Sequence, residues 1–137
     1  MKPKRTILCV DDDEAALSIR KLMLETRGYR VLPCTSGEAA LRAFQESGAD
    51  LLLSDVMMPG MQGTDLVARV KELSPQTPAI LISGRVKVYQ ADTQADLFLA
   101  KGMYGPAELL EHIRTLLVRR RTPRRVPAAA PTARSVA

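Results

Sequence analysis

Four apolar runs in this chain each end in a charged or hydroxyl residue: ILCVDD at Asp11 and Asp12, LLLSD at Asp55, AILIS at Ser83 and LFLAK at Lys101. Runs of that length read as buried parallel strands, because a strand covered on both faces has no need of polar alternation. Polar residues at the C-terminal ends of such strands lie where open α/β sheets place their ligand sites. Together the four ends suit a cation and a phosphoryl group.

Helical periodicity alternates with these runs. Thr6 to Val10 reads as the first strand, and Ala15, Ile19, Leu22 and Met23 recur at helical spacing, predicting the inward face of a first helix closed by Gly28. Tyr29 to Pro33 is a second strand, at an edge because proline cannot donate to a ladder. Thr35 and Glu38 form a T-x-x-E capping box for a helix with Ala40, Ala43 and Phe44 inward, stopped by Gly48. Residues 50–54 make the third strand. Thr64 is placed to cap a third helix facing inward through Leu66, Val67, Val70 and Leu73. Ala79 to Ile82 and Leu97 to Ala100 complete the strands, separated by GRVKVYQADTQAD, which carries no convincing 3.6-residue stripe. Pro106 suits the first position of a last helix with Leu109, Ile113, Leu116 and Leu117 on one face. The alternation predicts an α/β fold: a doubly wound, five-stranded parallel sheet with helices on both faces.

Charge divides the chain in two. Of its 20 lysines and arginines, six arginines fall in residues 119–137, which hold no acid; residues 1–118 therefore carry 14 basic against 15 acidic groups, a net of −1. The expected organisation is one globular domain over residues 5–118, followed by a disordered basic tail. Without interleaved aromatics to stack on bases, that tail reads as a solubilising extension, and nucleic-acid binding is expected only through it. No apolar stretch approaches the roughly 20 residues of a membrane span, and the N-terminus lacks a signal-peptide cleavage pattern, so a cytoplasmic protein is expected. Cys9 and Cys34 form no CxxC pair and read as reduced thiols.

The chemistry follows from where the strand ends converge. Asp11, Asp12 and Asp55 present three carboxylates that raise one another's pKa or recruit a cation, and oxygen ligands suit Mg²⁺ better than zinc. Ser83 offers a hydrogen bond and Lys101 a compact charge to a phosphoryl oxygen, leaving the Asp55 carboxylate as nucleophile. Each residue has a plainer explanation. DDDE also favours a helix N-terminus with Asp13 as cap, Asp55 and Ser83 also suit turns, and Lys101 also suits solvent. Their joint occurrence in the order acid pair, acid, hydroxyl, amine tips the balance toward a site.

In that order the motifs resemble the receiver domain of bacterial two-component response regulators, over residues 5 to about 118. ILCVDDDEAAL is similar to the family's acidic pair, LLLSDVMMPGMQG to its phosphoacceptor segment, and AILISG and LFLAK to the segments bearing its hydroxyl and lysine. The resemblance implies a flavodoxin-like receiver fold and a switch more than an enzyme, one that assists its own phosphorylation and dephosphorylation. It implies that Asp55 accepts a phosphoryl group from a sensor histidine kinase or phosphotransfer protein. It further implies that Asp12, Asp55 and the backbone carbonyl of Met57 hold Mg²⁺ directly while Asp11 helps through water. Ser83 and Lys101 match the residues that grip the phosphoryl group, and Phe98 matches an aromatic that turns inward in response.

Two departures from the family pattern bear on output. Lys101 is followed by Gly102 where relatives usually have proline, and the Ser83–Lys101 segment is shorter than usual by about one helical turn, roughly 5.4 Å. A shortened fourth helix or a loop is expected there. Met57 and Arg85 occupy positions that tune phosphoryl lifetime in relatives. With no output module in the sequence, the resemblance implies a stand-alone receiver acting through protein contacts. The other readings are an adapter of the same fold that takes no phosphate, and a nucleic-acid binder acting through the arginine tail.

Overall fold

A computed structural model describes residues 4–84 and 94–121. Its strands are β1 (Thr6–Val10), β2 (Arg30–Cys34), β3 (Leu51–Asp55), β4 (Ala79–Ser83) and β5 (Leu97–Ala100). The helices are α1 (Glu14–Thr26), α2 (Gly37–Ser47), α3 (Gly63–Leu73) and α4 (Pro106–Arg121). All strand pairs are parallel, in the order β2-β1-β3-β4-β5. The sheet is thus the doubly wound, five-stranded one that the alternation predicts. Pro33 lies on edge strand β2, as its missing donor requires.

Alternate residues of the strands sort the core into two layers. Ile7, Cys9, Leu51, Leu53, Ile80 and Ile82 face α1 and α4, where they meet Leu17, Leu24, Leu109 and Ile113. Leu8, Val10, Leu52 and Leu81 face α2 and α3, meeting Ala40, Phe44, Leu66, Val67 and Val70. Burying each leucine or isoleucine contributes roughly 1.5–3 kcal/mol. The sheet is therefore held from both sides.

Local signals are displaced in four places. Ala15, Ile19 and Leu22 of the predicted α1 stripe are exposed; the helix instead buries Leu17 and Leu24, with Arg20 between them. Thr35 and Glu38 form no capping box: the Ser36 hydroxyl accepts the Ala39 N–H, and Glu38 reaches across to the Met61 N–H at 3.1 Å. α3 is capped by Gln62, whose N–H donates to Asp65, so Thr64 falls within the first turn. Leu73 is exposed because the helix ends there, beyond the reach of the sheet. Asp13 does cap α1, accepting the Ala15 N–H at 3.0 Å.

The expected fourth helix, with Arg85, falls largely on residues 85–93 and lies outside the described residues, as does the arginine tail from 122 onward. α4 runs to Arg121, three residues past the expected domain limit. A clasp fixes the entry to β5. Lys71 donates to the Thr77 carbonyl and to Asp96, both at 2.8 Å, and Asp96 accepts the Ala79 N–H at 2.8 Å.

Candidate functional site

β1 and β3 are neighbours although β2 lies between them in sequence, so the chain reverses its winding direction there. Helices leave the two strands on opposite faces and open a crevice at their C-terminal ends. Asp11 follows β1 into that crevice and Asp55 ends β3 in it. Each of Asp11, Asp12 and Asp55 offers a carboxylate oxygen, and these oxygens all lie within 4.8 Å of one another. A set of three hard oxygen donors fits a small divalent cation with water completing its shell.

Backbone and helix geometry hold the acids in place. The Asp13 N–H donates to Asp11 Oδ1 at 2.9 Å, tying the first acid to the start of α1. The Gly63 N–H donates to the Val56 carbonyl at 2.9 Å, and a Cβ on Gly63 would overlap the Asp55 carbonyl oxygen. Glycine there lets α3 begin directly against the end of β3. Burial, then the neighbouring Asp11, pushes the Asp55 carboxyl above its ordinary pKa, while Lys101 and Arg20 pull it down.

The amine arrives from the other side. Lys101 Nζ lies 3.4 Å from Asp55 Oδ1, and the Lys101 N–H donates to the Ser83 carbonyl at 2.8 Å. Ser83, fully buried at the end of β4, thus shares the same edge of the sheet. The Lys101–Gly102 peptide is trans, and Gly102 turns the chain with φ +80°. Met57 follows β3 in the adjoining loop with its side chain exposed. Phe98 pairs with Leu81, one register position before the row of Asp55, and is half-buried against the layer under α2 and α3. A cleft at the N-terminal ends of the strands, lined by Thr6, Phe44, Asp50 and Thr77, holds none of these groups.

A model of the response regulator receiver domain matches residues 7–114. The chain belongs to that family. Receiver domains are regulatory phosphoacceptor modules of two-component systems, and the five-stranded architecture agrees. The chain is similar to the sensory transduction protein RegX3 of Mycobacterium tuberculosis, at 34% identity over 118 residues, covering 83% of this chain and 51% of RegX3. It is also similar to the autoinducer 1 sensor kinase/phosphatase LuxN of Vibrio campbellii, at 43% over 79 residues, covering 58% of this chain and 9% of LuxN. The chain thus spans about half or less of the length of these relatives.

Among solved structures, a CheY-like receiver domain protein from Methanospirillum hungatei superposes with a TM-score of 0.82 at 28% identity, covering 88% of this chain and 99% of that one. TrrA of Thermotoga maritima, solved in complex with Mg(2+)-BeF, superposes with a TM-score of 0.75 at 28% identity, covering 82% and 98%. Among the described residues of this receiver domain, no helix is long and apolar enough to cross a membrane.

Two residues at the site escape the sequence pattern. Arg20 Nη1 lies 3.3 Å from Asp11 Oδ2, and Gly63 underlies Asp55. The signal for Arg20 is its place between Leu17 and Leu24 on one helical stripe, an arginine where packing favours a hydrocarbon.

Proposed function

We propose that this receiver domain is a phosphorylation switch in which Asp55 takes a phosphoryl group from the phosphohistidine of a sensor kinase or phosphotransfer protein, with Mg²⁺ held by Asp12 and Asp55 directly and by Asp11 through water. The observation that carries the reading is the gathering of three carboxylates within 4.8 Å, with Lys101 Nζ 3.4 Å from Asp55. An Asp55 oxygen forms the new bond to phosphorus as the P–N bond breaks, and the departing electron pair goes to the imidazole nitrogen. Mg²⁺, when bound, offsets the negative charge that the phosphoryl group brings to the acids. The backbone carbonyl of Met57 is the further ligand in this reading.

Lys101 has the charge and position to exchange its Asp55 contact for a phosphoryl oxygen, and Ser83 supplies the hydroxyl on the adjoining strand. Phosphorylation adds about −1.5 to −2 charge at one point. That charge draws on residues at the ends of β4 and β5, which transmit it to Phe98 on the strand that leads to Lys101. The same groups orient the water whose attack on phosphorus breaks the Asp55–phosphate bond and releases inorganic phosphate. The reading implies a cytoplasmic location, where a phosphohistidine donor would reach Asp55.

Incubation with acetyl phosphate and Mg²⁺, followed by intact mass spectrometry, is expected to add one phosphoryl group. Asp55→Asn is expected to abolish the adduct, and chelation of the metal to suppress it. An adduct that persists in Asp55→Asn removes the assignment. A wild-type chain that takes no phosphate, with its fold intact, points to an adapter.

A further inference from the structure

The acid pocket already contains a positive charge that phosphoryl transfer, as described above, does not use. Arg20 stands on the inner face of α1 with its side chain only 12% exposed, and its guanidinium reaches Asp11 Oδ2 at 3.3 Å. Asp11 itself is fully buried, its other oxygen occupied by the Asp13 N–H. Both oxygens of that acid are therefore engaged by the chain's own donors.

The same guanidinium acts on three further groups. Burial pushes the pKa values of Cys9 on β1, of Tyr104 in the loop after β5 and of Asp55 upward, and the guanidinium partly opposes that rise at all three. β1, the end of β3 and the loop after β5 thus converge on one side chain of α1. A buried cation is costly unless paired, and Leu17 and Leu24 on either side show that the position is otherwise built for hydrocarbon. Packing does not account for an arginine here, whereas the charge of the pocket does.

Three carboxylates, Lys101 and Arg20 sum to a single net negative charge. A divalent ion entering the pocket must repel the guanidinium and share Asp11 with it. Beside Arg20 runs a groove between α1 and the loop after β5, lined by Ile19, Met23, Tyr104 and Leu109, into which a released guanidinium can turn. We propose that Arg20 is a built-in counter-ion of the acid pocket, a positioning residue that holds Asp11 while no metal is bound, yields to an arriving divalent cation, and thereby sets the cation affinity of the site. The inference rests on the metal reading of the same acids.

Direct binding decides it. Mn²⁺ is titrated into the full chain and the free ion counted by electron paramagnetic resonance, with Mg²⁺ as competitor, for wild type, Arg20→Gln, Arg20→Met and Arg20→Lys. The neutral variants are expected to bind about tenfold more tightly, the effect of removing a unit charge one side-chain width from a divalent ion at near-water screening. Arg20→Lys, which keeps the charge, is expected to bind within about twofold of wild type. A merely structural role would not separate glutamine from lysine in this direction. Arg20→Gln keeps a donor for Asp11 and decides the matter if Arg20→Met fails to fold. Equal or weaker binding by Arg20→Gln overturns the proposal, as does equal tightening by Arg20→Lys. A wild type that binds no Mn²⁺ removes the metal reading and this inference together; a wild type that binds, with variants that match it, removes the inference alone.

Discussion

β3 is buried at all five of its positions, whereas β5 is half-exposed at all four. The two strands carry the opposed charges of the site, Asp55 at the end of one and Lys101 just past the end of the other. Asp55 sits between strands on both sides, with α3 against it, and its side chain is 9% exposed. Lys101 leaves an edge strand and is 40% exposed. The acid half is fixed before any ligand arrives, and the amine half retains freedom to reorganise. A switch needs both: a rigid acceptor to define one state, and a loosely packed responder to reach another.

The strongest way to break this contrast is to disturb the acid half by one methyl group. Gly63→Ala places a Cβ against the Asp55 carbonyl and 3.0 Å from a Leu81 methyl, both belonging to buried strands that have no room to move. A loss of about 3 kcal/mol is expected in urea unfolding, with no folded protein recovered if relaxation is blocked entirely. A loss under about 1 kcal/mol would show that the loop after β3 yields easily and that the acid half is not rigid.

A smaller effect of opposite sign tests whether that rigidity confines charge. Burial and Asp11 raise the Asp55 pKa above its ordinary value of 3.8, so the ionised carboxylate is tolerated at some cost in stability. Protonated Asp55 contributes full stability below the unfolded pKa, and that contribution is lost as pH rises through the raised folded pKa. Asp55→Asn removes the charge and is expected to stabilise the metal-free protein at neutral pH by about 1 kcal/mol, roughly 3–5 °C in Tm. The gap should close as pH falls toward the unfolded value. Calorimetric scans of both proteins from acid to neutral pH check it; a gap independent of pH would assign the gain to packing.

Much of this contrast is legible in the amino-acid sequence. The runs ending at Asp55 and Ser83 stand out because strands covered on both faces must be apolar throughout, and carboxylates at their ends then converge by topology alone. Arg20 is not legible in the same way. α1 carries apolar residues on two sides, Ile19 and Leu22 on one and Leu17 and Leu24 on the other, and periodicity cannot choose between them. The choice is made by the buried Arg20–Asp11 pair, a contact nine residues apart that no local pattern encodes. Glu38 fails as a capping residue for a related reason: the Met61 N–H, 23 positions away, competes for its carboxylate. Gly63 resembles any loop glycine until α3 is seen to start against Asp55.

The mildest perturbation belongs to the amine half. Gly102 follows Lys101 with φ +80° and has nothing within 4 Å of where a Cβ would stand. Space is therefore no obstacle, and only the left-handed backbone opposes a side chain, at about 1–2 kcal/mol for an ordinary L-residue. Gly102→Ala should cost about 1 kcal/mol by urea unfolding, some threefold less than Gly63→Ala, with Gly102→Asn losing less because asparagine tolerates that region. The more telling measurement is amide hydrogen exchange. Exchange should quicken at Leu97 to Lys101 in the alanine variant while Leu51 to Asp55 keep wild-type protection, since β4 lies between the two strands and they share no backbone ladder. Equal loss of protection in both strands would mean that the sheet responds as one body, and that the freedom of the amine half is not separable from the rigidity of the acid half.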